Sequence, residues 1–198
     1  SVFRHGQKLG DIRWSASGRH NVINSLAAVA VGLELDIPFA KIAEALASFS
    51  GVGRRMEWKG ERGGVVVMDD YGHHPTEIKA TLQALKEKFP HRRSIVLFQP
   101  HRFSRTKILA EEFAVSFAGV DVLGLLDIYA ASESPLPGVT SDWLAERIRA
   151  QGTAVTRLPA EEGPALLCQM VKNGDVVLTM GAGDVWKWGE TLLASLTP

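Results

Sequence analysis

The chain has 198 residues, 45% of them hydrophobic, with 22 Lys plus Arg balanced by 22 Asp plus Glu. This ordinary globular composition excludes a disordered tract or a mini-protein and leaves room for one large domain or two small ones. A formal net charge of zero offers no general field for nucleic acid or an anionic membrane surface, and no apolar run approaches the roughly 18 residues of a membrane span. Cys168 is the single cysteine, so no intramolecular disulfide can form, which fits a reducing, cytoplasmic setting. The opening SVFRHGQKLG lacks the apolar stretch of a signal peptide. Its first residue, Ser1 rather than Met, points to a cut or partial chain.

Residues 1 to 14 alternate weakly around HGQKLG, with Val2, Phe3, Leu9, Ile12 and Trp14 as apolar points, and predict a short hairpin. From Asn21 to Leu35 the sequence is Ala-rich and nearly apolar all round, as expected of a buried helix. Asp36 before Pro38 reads as the N-cap of a second helix to about Phe49, with Phe39, Ile42, Ala43 and Leu46 on one face. Ser50 to Gly64 breaks every periodicity with five glycines and mixed charge, so a domain boundary and a plausible hinge are placed inside it. Beyond it, apolar runs predict strands at 65–69, 94–99, 121–126, 154–158 and 175–180. Amphipathic segments at about 75–89, 104–118, 141–151, 161–172 and 184–196 predict the helices between and after them. The alternation is that of a doubly wound, Rossmann-like α/β domain with a mostly parallel sheet.

Open parallel sheets bind ligands outside the carboxyl ends of their strands. Two predicted strand ends are heavily loaded: Asp69-Asp70-Tyr71-Gly72-His73-His74-Pro75-Thr76-Glu77 and Gln99-Pro100-His101-Arg102-Phe103-Ser104-Arg105-Thr106. The first offers carboxylates for ribose hydroxyls or a metal's water, and imidazoles that titrate near neutrality. The second spaces Arg102 and Arg105 one turn apart. With Ser104 as a helix cap, both guanidiniums would face an anion at the positive end of that helix. The plainer alternative makes Asp70 and Ser104 simple caps and the histidines satisfied loop residues.

Arg54 and Arg55 in the glycine-rich boundary are either cations that swing onto a phosphate or a solvated pair. Gly181-Ala182-Gly183-Asp184 reads first as a tight turn with Asp184 as N-cap, and second as an anion-binding loop. His20, Asn21 and Asn24 open the Ala-rich helix, Asn21 as a cap or Asn24 as a buried amide in the simplest reading. Trp186 and Trp188 read as packing.

In order and spacing, GRHNVINSLAA (18–28), GVGRRMEW (51–58), DDYGHHPTE (69–77) and FQPHRFSRT (98–106) resemble the Mur ligases of peptidoglycan synthesis. DDYGHHP with FQPHR resembles the alanine-adding member. The resemblance covers essentially the whole chain. It implies that residues 1–57 end a central ATP-binding domain of P-loop type, here a helical and hairpin remnant, and that 58–198 form the complete Rossmann-like carboxyl-terminal domain. It implies ATP and Mg²⁺, with UDP-N-acetylmuramate and L-alanine as substrates. Asn24 would contact adenine, Arg55 the ATP phosphates and Asp70 the ribose. Tyr71, His73, His101, Arg102 and Arg105 would face the muramoyl carboxylate and the incoming alanine, in positional and electrostatic roles. The implied reaction passes through an acyl phosphate that the alanine amine opens.

The chain departs from the family in lacking a G-x-x-x-x-G-K-[ST] phosphate loop and a UDP-binding domain. The expectation is therefore a carboxyl-terminal piece that folds but does not turn over ATP, with the principal Mg²⁺ ligands elsewhere and the oligomeric state open. Three rivals remain. One is the family's peptide-recycling ligase, and another is a non-catalytic nucleotide- or partner-binding module. The third is a metal-dependent phosphoesterase using Asp69, Asp70, His73, His74 and His101.

Overall fold

A computed structural model describes residues 1–13, 19–49 and 52–197. Trp14, Gly18, Ser50 and Gly51, on which parts of the reading above rest, lie outside the described residues, as does the side chain of His20. The chain divides into two compact units, Ser1–Val52 and Gly53–Pro198. This division precedes the 57/58 boundary expected from sequence, because Arg54 and Met56 bond to the sheet of the second unit.

The first unit opens with the predicted hairpin, β1 (Val2–Arg4) against β2 (Gln7–Gly10). His5 and Gly6 both have positive φ, the geometry of a tight primed turn that follows strand twist. Helix α1 (Arg19–Glu34) packs against α2 (Phe39–Ser48) through a small cluster of Val2, Val29 and Ile42. A side chain at Gly32 would strike Ile42, so this glycine sets the close helix approach. Two expectations need correction. α1 is not buried all round: Val22, Ile23, Leu26 and Val31 are exposed, because only α2 and the hairpin cover it among the described residues. Asp36 is not an N-cap. It adopts positive φ after α1, and Pro38 holds the cap position of α2 without a side-chain bond.

The second unit is built on a six-stranded sheet of order β3-β4-β8-β5-β6-β7. Its strands are β3 (Glu57–Arg62), β4 (Val65–Asp70), β5 (Ser94–Phe98), β6 (Val122–Leu125), β7 (Val155–Arg157) and β8 (Val176–Met180). All neighbours are parallel except β3, which pairs antiparallel with β4. The helices are α3 (Pro75–Lys88), α4 (Phe103–Ile108), α5 (Ala110–Ala114), α6 (Ser141–Ala150), α7 (Gly163–Met170) and α8 (Trp186–Ser195). The single helix expected at 104–118 is broken at Leu109 and ends early.

Alternation along the strands sorts the core into two faces. Val66, Met68, Val96, Phe98, Leu178 and Met180 pack with Ile78, Phe113, Phe117 and Leu144 of one helical layer. Val65, Val67, Ile95, Leu97 and Val177 pack with Leu167, Val185 and Leu192 of the other. The fold is thus the doubly wound, mostly parallel sheet expected. The connections from β4 and β5 go to the first face and that from β8 to the second, so the strand ends diverge around β8. That crevice is where such sheets bind ligands.

Candidate functional site

Register brings three strand ends level: Asp70 pairs with Met180, and Phe98 pairs with Met180 from the other side. The two loaded turns of the sequence therefore flank the Gly181–Asp184 turn.

Asp69 is 1% exposed. It accepts from Thr179 Oγ1 at 2.6 Å and from Arg54 Nε at 2.8 Å. The same guanidinium donates from Nη1 to the Gly183 carbonyl at 3.0 Å and from Nη2 to the Gly181 carbonyl at 2.6 Å. Arg54 is thus a clamp on the sheet edge and not a mobile cation. Both early readings of Gly181–Asp184 change with it. The turn shows carbonyls to Arg54, where an anion loop would show N–H groups. The cap position of α8 belongs to Val185, while the Asp184 carboxylate accepts from Gln99 Nε2 at 2.9 Å.

Asp70 is also buried. Its carboxylate accepts from the amides of Gly72 (2.8 Å) and Met56 (2.9 Å) and from Thr81 Oγ1 (3.2 Å). Burial pushes this carboxyl above its ordinary value, and the two amides, Arg55 and Thr81 oppose the shift. Asp70 is not a helix cap. His74 is the N-cap of α3: its Nδ1 accepts from Thr76 N, and Glu77 Oε2 accepts from the amides of His74 and His73. Burial works to raise the Glu77 carboxyl. The His73 amide and imidazole, the His74 amide and Arg55 outweigh it and leave it lowered.

Arg55, next to the clamp, is half exposed, 4.0 Å from Glu77 and 5.9 Å from the Tyr71 ring centroid. It is the guanidinium of the pair left available to an anion.

Arg102 has φ 72° and holds the cap position of α4. Its amide donates to the Tyr129 carbonyl, and Tyr129 N donates to the Pro100 carbonyl. Ser104 does not cap α4. Its N and Oγ donate to Glu133 at 3.0 and 2.5 Å, and the hydroxyl bond holds that carboxyl below its ordinary range. Arg105 Nη1 lies 3.3 Å from His101 Nδ1. Burial, followed by Arg105, His73 and Arg102, lowers the His101 pKa against the opposing pull of Glu133. An aromatic row links the turns: Tyr71 to His73 at 5.4 Å, His73 to His101 at 5.9 Å, and His101 stacked on Tyr129 at 5.6 Å.

The structure therefore gathers Arg55, Asp70, Tyr71, His73, His101, Arg102 and Arg105 at one sheet edge. Asn24 lies exposed on α1 in the other unit, so it is not a buried amide. Sequence reasoning missed Tyr129 and Glu133, which lie on the loop after β6. Their one local signal was position beyond a strand end, without the charge density of the other two turns. Among the described residues of the second unit, every non-glycine residue with positive φ belongs to these segments: Arg54, Met56, Arg102, Ala131 and Ser132. Such backbone is costly and concentrates where structure positions chemistry.

The phosphoesterase reading loses its ligands, since Asp69, Asp70 and His74 are engaged in internal bonds. Among the described residues no group of three or more His, Cys, Asp or Glu side chains is placed to hold a metal ion. A cavity of about 620 Å³ between α3 and the segment that follows α5 (residues 115–121) opens at the opposite, amino edge of the sheet and contains none of the candidate residues.

The second unit is thus a doubly wound α/β domain with cations and imidazoles gathered at its switch point. Residues 54–183 match the Mur ligase, glutamate ligase domain, and the chain belongs to the Mur ligase family. It is 52% identical over 193 residues to the UDP-N-acetylmuramate–L-alanine ligase of Trichlorobacter lovleyi, covering 96% of this chain and 42% of that protein. It is 54% identical over 195 residues to the same-named ligase of Desulfatibacillum aliphaticivorans, covering 97% and 43%. Among solved structures, the UDP-N-acetylmuramate–alanine ligase of Thermotoga maritima superposes with TM-score 0.78 at 26% identity, covering 96% of this chain and 41% of that one. The murein peptide ligase of Psychrobacter arcticus gives 0.69 at 26%, covering 94% and 39%. The chain thus spans less than half the length of the curated relatives it matches.

Proposed function

We propose that this chain is the carboxyl-terminal part of an ATP-dependent ligase that joins L-alanine to UDP-N-acetylmuramate in cytoplasmic peptidoglycan synthesis. Its first unit would end the central ATP-binding domain and its second would be the carboxyl-terminal domain. The observation that carries the reading is the turn His101-Arg102-Phe103-Ser104-Arg105, pinned by Glu133 beside Arg55 and the Tyr71–His73 turn. This places three arginines and two imidazoles around one sheet edge.

In the reaction, the muramoyl carboxylate attacks the γ-phosphate of ATP to give an acyl phosphate, and the alanine amine then displaces phosphate. Both steps need dispersed negative charge to be held in place. Arg55 stabilises the transferring phosphate, and Arg102 and Arg105 hold carboxylates. Tyr71, His73 and His101 line the acyl group and the amine. Asn24 serves adenine. Asp70, whose carboxylate is buried and bonded internally, orders Met56 and Gly72 on either side of the Arg55–Tyr71 pair, and its part at the ribose is to hold that backbone in place. Mg²⁺ would neutralise phosphate charge when bound, and the resemblance to Mur ligases implies that its principal ligands are supplied by a part of the enzyme beyond these 198 residues. Among the described residues no helix is long and apolar enough to cross a membrane.

A second reading, a ligase that attaches a whole peptide to the same acceptor, draws on the likeness to the murein peptide ligase. The test is phosphate release from a chimera in which this chain replaces the matching segment of a curated relative. Release dependent on UDP-N-acetylmuramate and L-alanine is expected, with none from the 198 residues alone. Release with a tripeptide but not alanine selects the second reading. Release from the isolated chain overturns the fragment reading.

A further inference from the structure

His73 and His101 face partners of opposite hydrogen-bonding character. His73 Nδ1 lies 3.1 Å from the Tyr71 carbonyl oxygen and 3.6 Å from Glu77 Oε2. Both partners are acceptors only, so Nδ1 of His73 carries the proton and donates. His101 Nδ1 lies 3.3 Å from Arg105 Nη1. A guanidinium donates and never accepts, so Nδ1 of His101 is bare and the proton of its neutral ring sits on Nε2. The two ring centroids are 5.9 Å apart. The remaining ring nitrogens are thus a bare Nε2 on His73 and an Nε2–H on His101.

We propose, building on the ligase reading above, that these opposite tautomers divide the proton work of the amine-addition step. His73 Nε2 takes the proton that the amine must lose, and His101 Nε2–H donates to the acyl oxygen. In the balanced step, the amine lone pair forms the C–N bond and the carbonyl π pair moves to oxygen, where the His101 N–H meets it. The nitrogen's surplus proton passes to His73 Nε2. Collapse of the tetrahedral centre then breaks the C–O bond to phosphate, which leaves with that electron pair. The imidazolium of His73 is steadied by Glu77 and returns its proton to water.

The surroundings fit the division. The Glu77 carboxylate is next to His73. His101 is held among Arg105, Arg102 and His73, with Glu133 the one carboxylate acting on it. Burial, Arg105 and Arg102 keep the donor His101 neutral, and Glu77 Oε2 offers an acceptor to Nδ1–H of His73. Tyr129 stacks on His101 at an interplanar angle of 12° and fixes the ring plane. A Cβ at Gly183 would lie 2.8 Å from the Tyr129 ring, so the ring packs directly against the glycine backbone of the turn after β8.

Two measurements test this. Long-range ¹H–¹⁵N correlation NMR of the histidine-labelled chain, at a pH where both rings are neutral, reads the tautomers directly and is independent of any reaction. Protonated Nδ1 on His73 and protonated Nε2 on His101 are expected, and the same tautomer on both overturns the proposal. In the chimera, His73→Gln should lower kcat about a hundredfold and remove the acid limb of the pH profile, with KM for ATP within about twofold. His101→Gln, which keeps a donor near Nε2, should retain about tenfold more activity than His101→Ala. A His73→Gln kcat within about threefold of the parent overturns the base role. Opposite tautomers in a chimera that shows no alanine-dependent turnover overturn the ligase reading and its proton roles, leaving the tautomer assignment in place.

Discussion

The Arg54 guanidinium and the Asp69 carboxylate meet at 2.8 Å, and the same guanidinium reaches the carbonyls of Gly181 and Gly183. One side chain thereby joins the segment that carries Arg55 to the ends of β4 and β8. Its backbone is left-handed, with φ 59°, and its carbonyl accepts from Tyr71 N at 2.6 Å. Arg54→Ala leaves a carboxylate of 1% exposure with only Thr179 as donor. We expect a loss of about 3 kcal/mol in unfolding free energy, measured by urea denaturation of the chain. Arg54→Lys should recover only part of it, because an ammonium cannot reproduce the fork to two carbonyls and a carboxylate. A loss under about 1 kcal/mol for the alanine variant would remove the clamp from the account.

Asp70 gives a pH-dependent prediction. Its folded pKa is raised, chiefly by burial. Its contribution is therefore fully present below the unfolded value near 3.9 and declines as pH rises through the folded value. Asp70→Asn lacks this titration but sets an amide N–H against one of the Met56 and Gly72 donors, so it is less stable throughout. The stability gap between parent and Asp70→Asn should be widest near the unfolded value and narrow with increasing pH. Thermal unfolding of both proteins across the acid range tests this, and a gap that widens with pH contradicts it.

How much of this was readable in advance follows from how each feature is encoded. β4, β5 and β8 are continuous apolar runs because both faces are covered, and such runs survive in sequence as plain signals. β3 does not: Glu-Trp-Lys-Gly-Glu-Arg is an edge strand with a register shift between Trp58 and Gly60, and its lysine pairs with Glu190 of α8. An edge carries charge and irregularity, which look like a loop. The strand-end rule located Asp70, Tyr71, His73, His101, Arg102 and Arg105 at one edge, because topology alone brings such turns together. It could not show that Arg54 is bound while its neighbour Arg55 is available. That difference depends on contacts 127 and 129 residues away. Glu133 escaped for the same reason, since its partner Ser104 lies 29 residues earlier.

His101 titrates in a measurable place. Burial, with Arg105, His73 and Arg102, depresses its pKa. Its NMR titration midpoint should therefore fall below the ordinary value near 6.5, and Arg105→Gln should move it upward. Because the folded value is lowered, the associated stability is present above the unfolded value and is lost as pH falls through the folded one. A midpoint above 6.5 would contradict the depression, and no response to Arg105→Gln would show that Arg105 does not act on the ring.

The arginines should separate kinetically in the chimeric ligase. Arg55 is paired only weakly, at 4.0 Å from Glu77, and stands beside the clamped Arg54. A guanidinium so placed can follow charge that develops on a transferring phosphate. Arg55→Ala should therefore lower kcat by about 10² to 10³, as removal of one charge-stabilising donor does. A change below about threefold would exclude that role. Arg102 and Arg105 lie on the other turn, held through Ser104 and Glu133, and are proposed to bind carboxylates already present in the ground state. Their alanine variants should raise KM for L-alanine or the muramoyl substrate and leave KM for ATP nearly unchanged, because an interaction equal in ground and transition states acts on KM. Glu133→Ala should reproduce that pattern in weaker form, since it loosens the start of α4 and removes no cation. Parallel loss of ATP affinity in all three variants would instead place this turn at the nucleotide and reverse the assignment of the two strand ends.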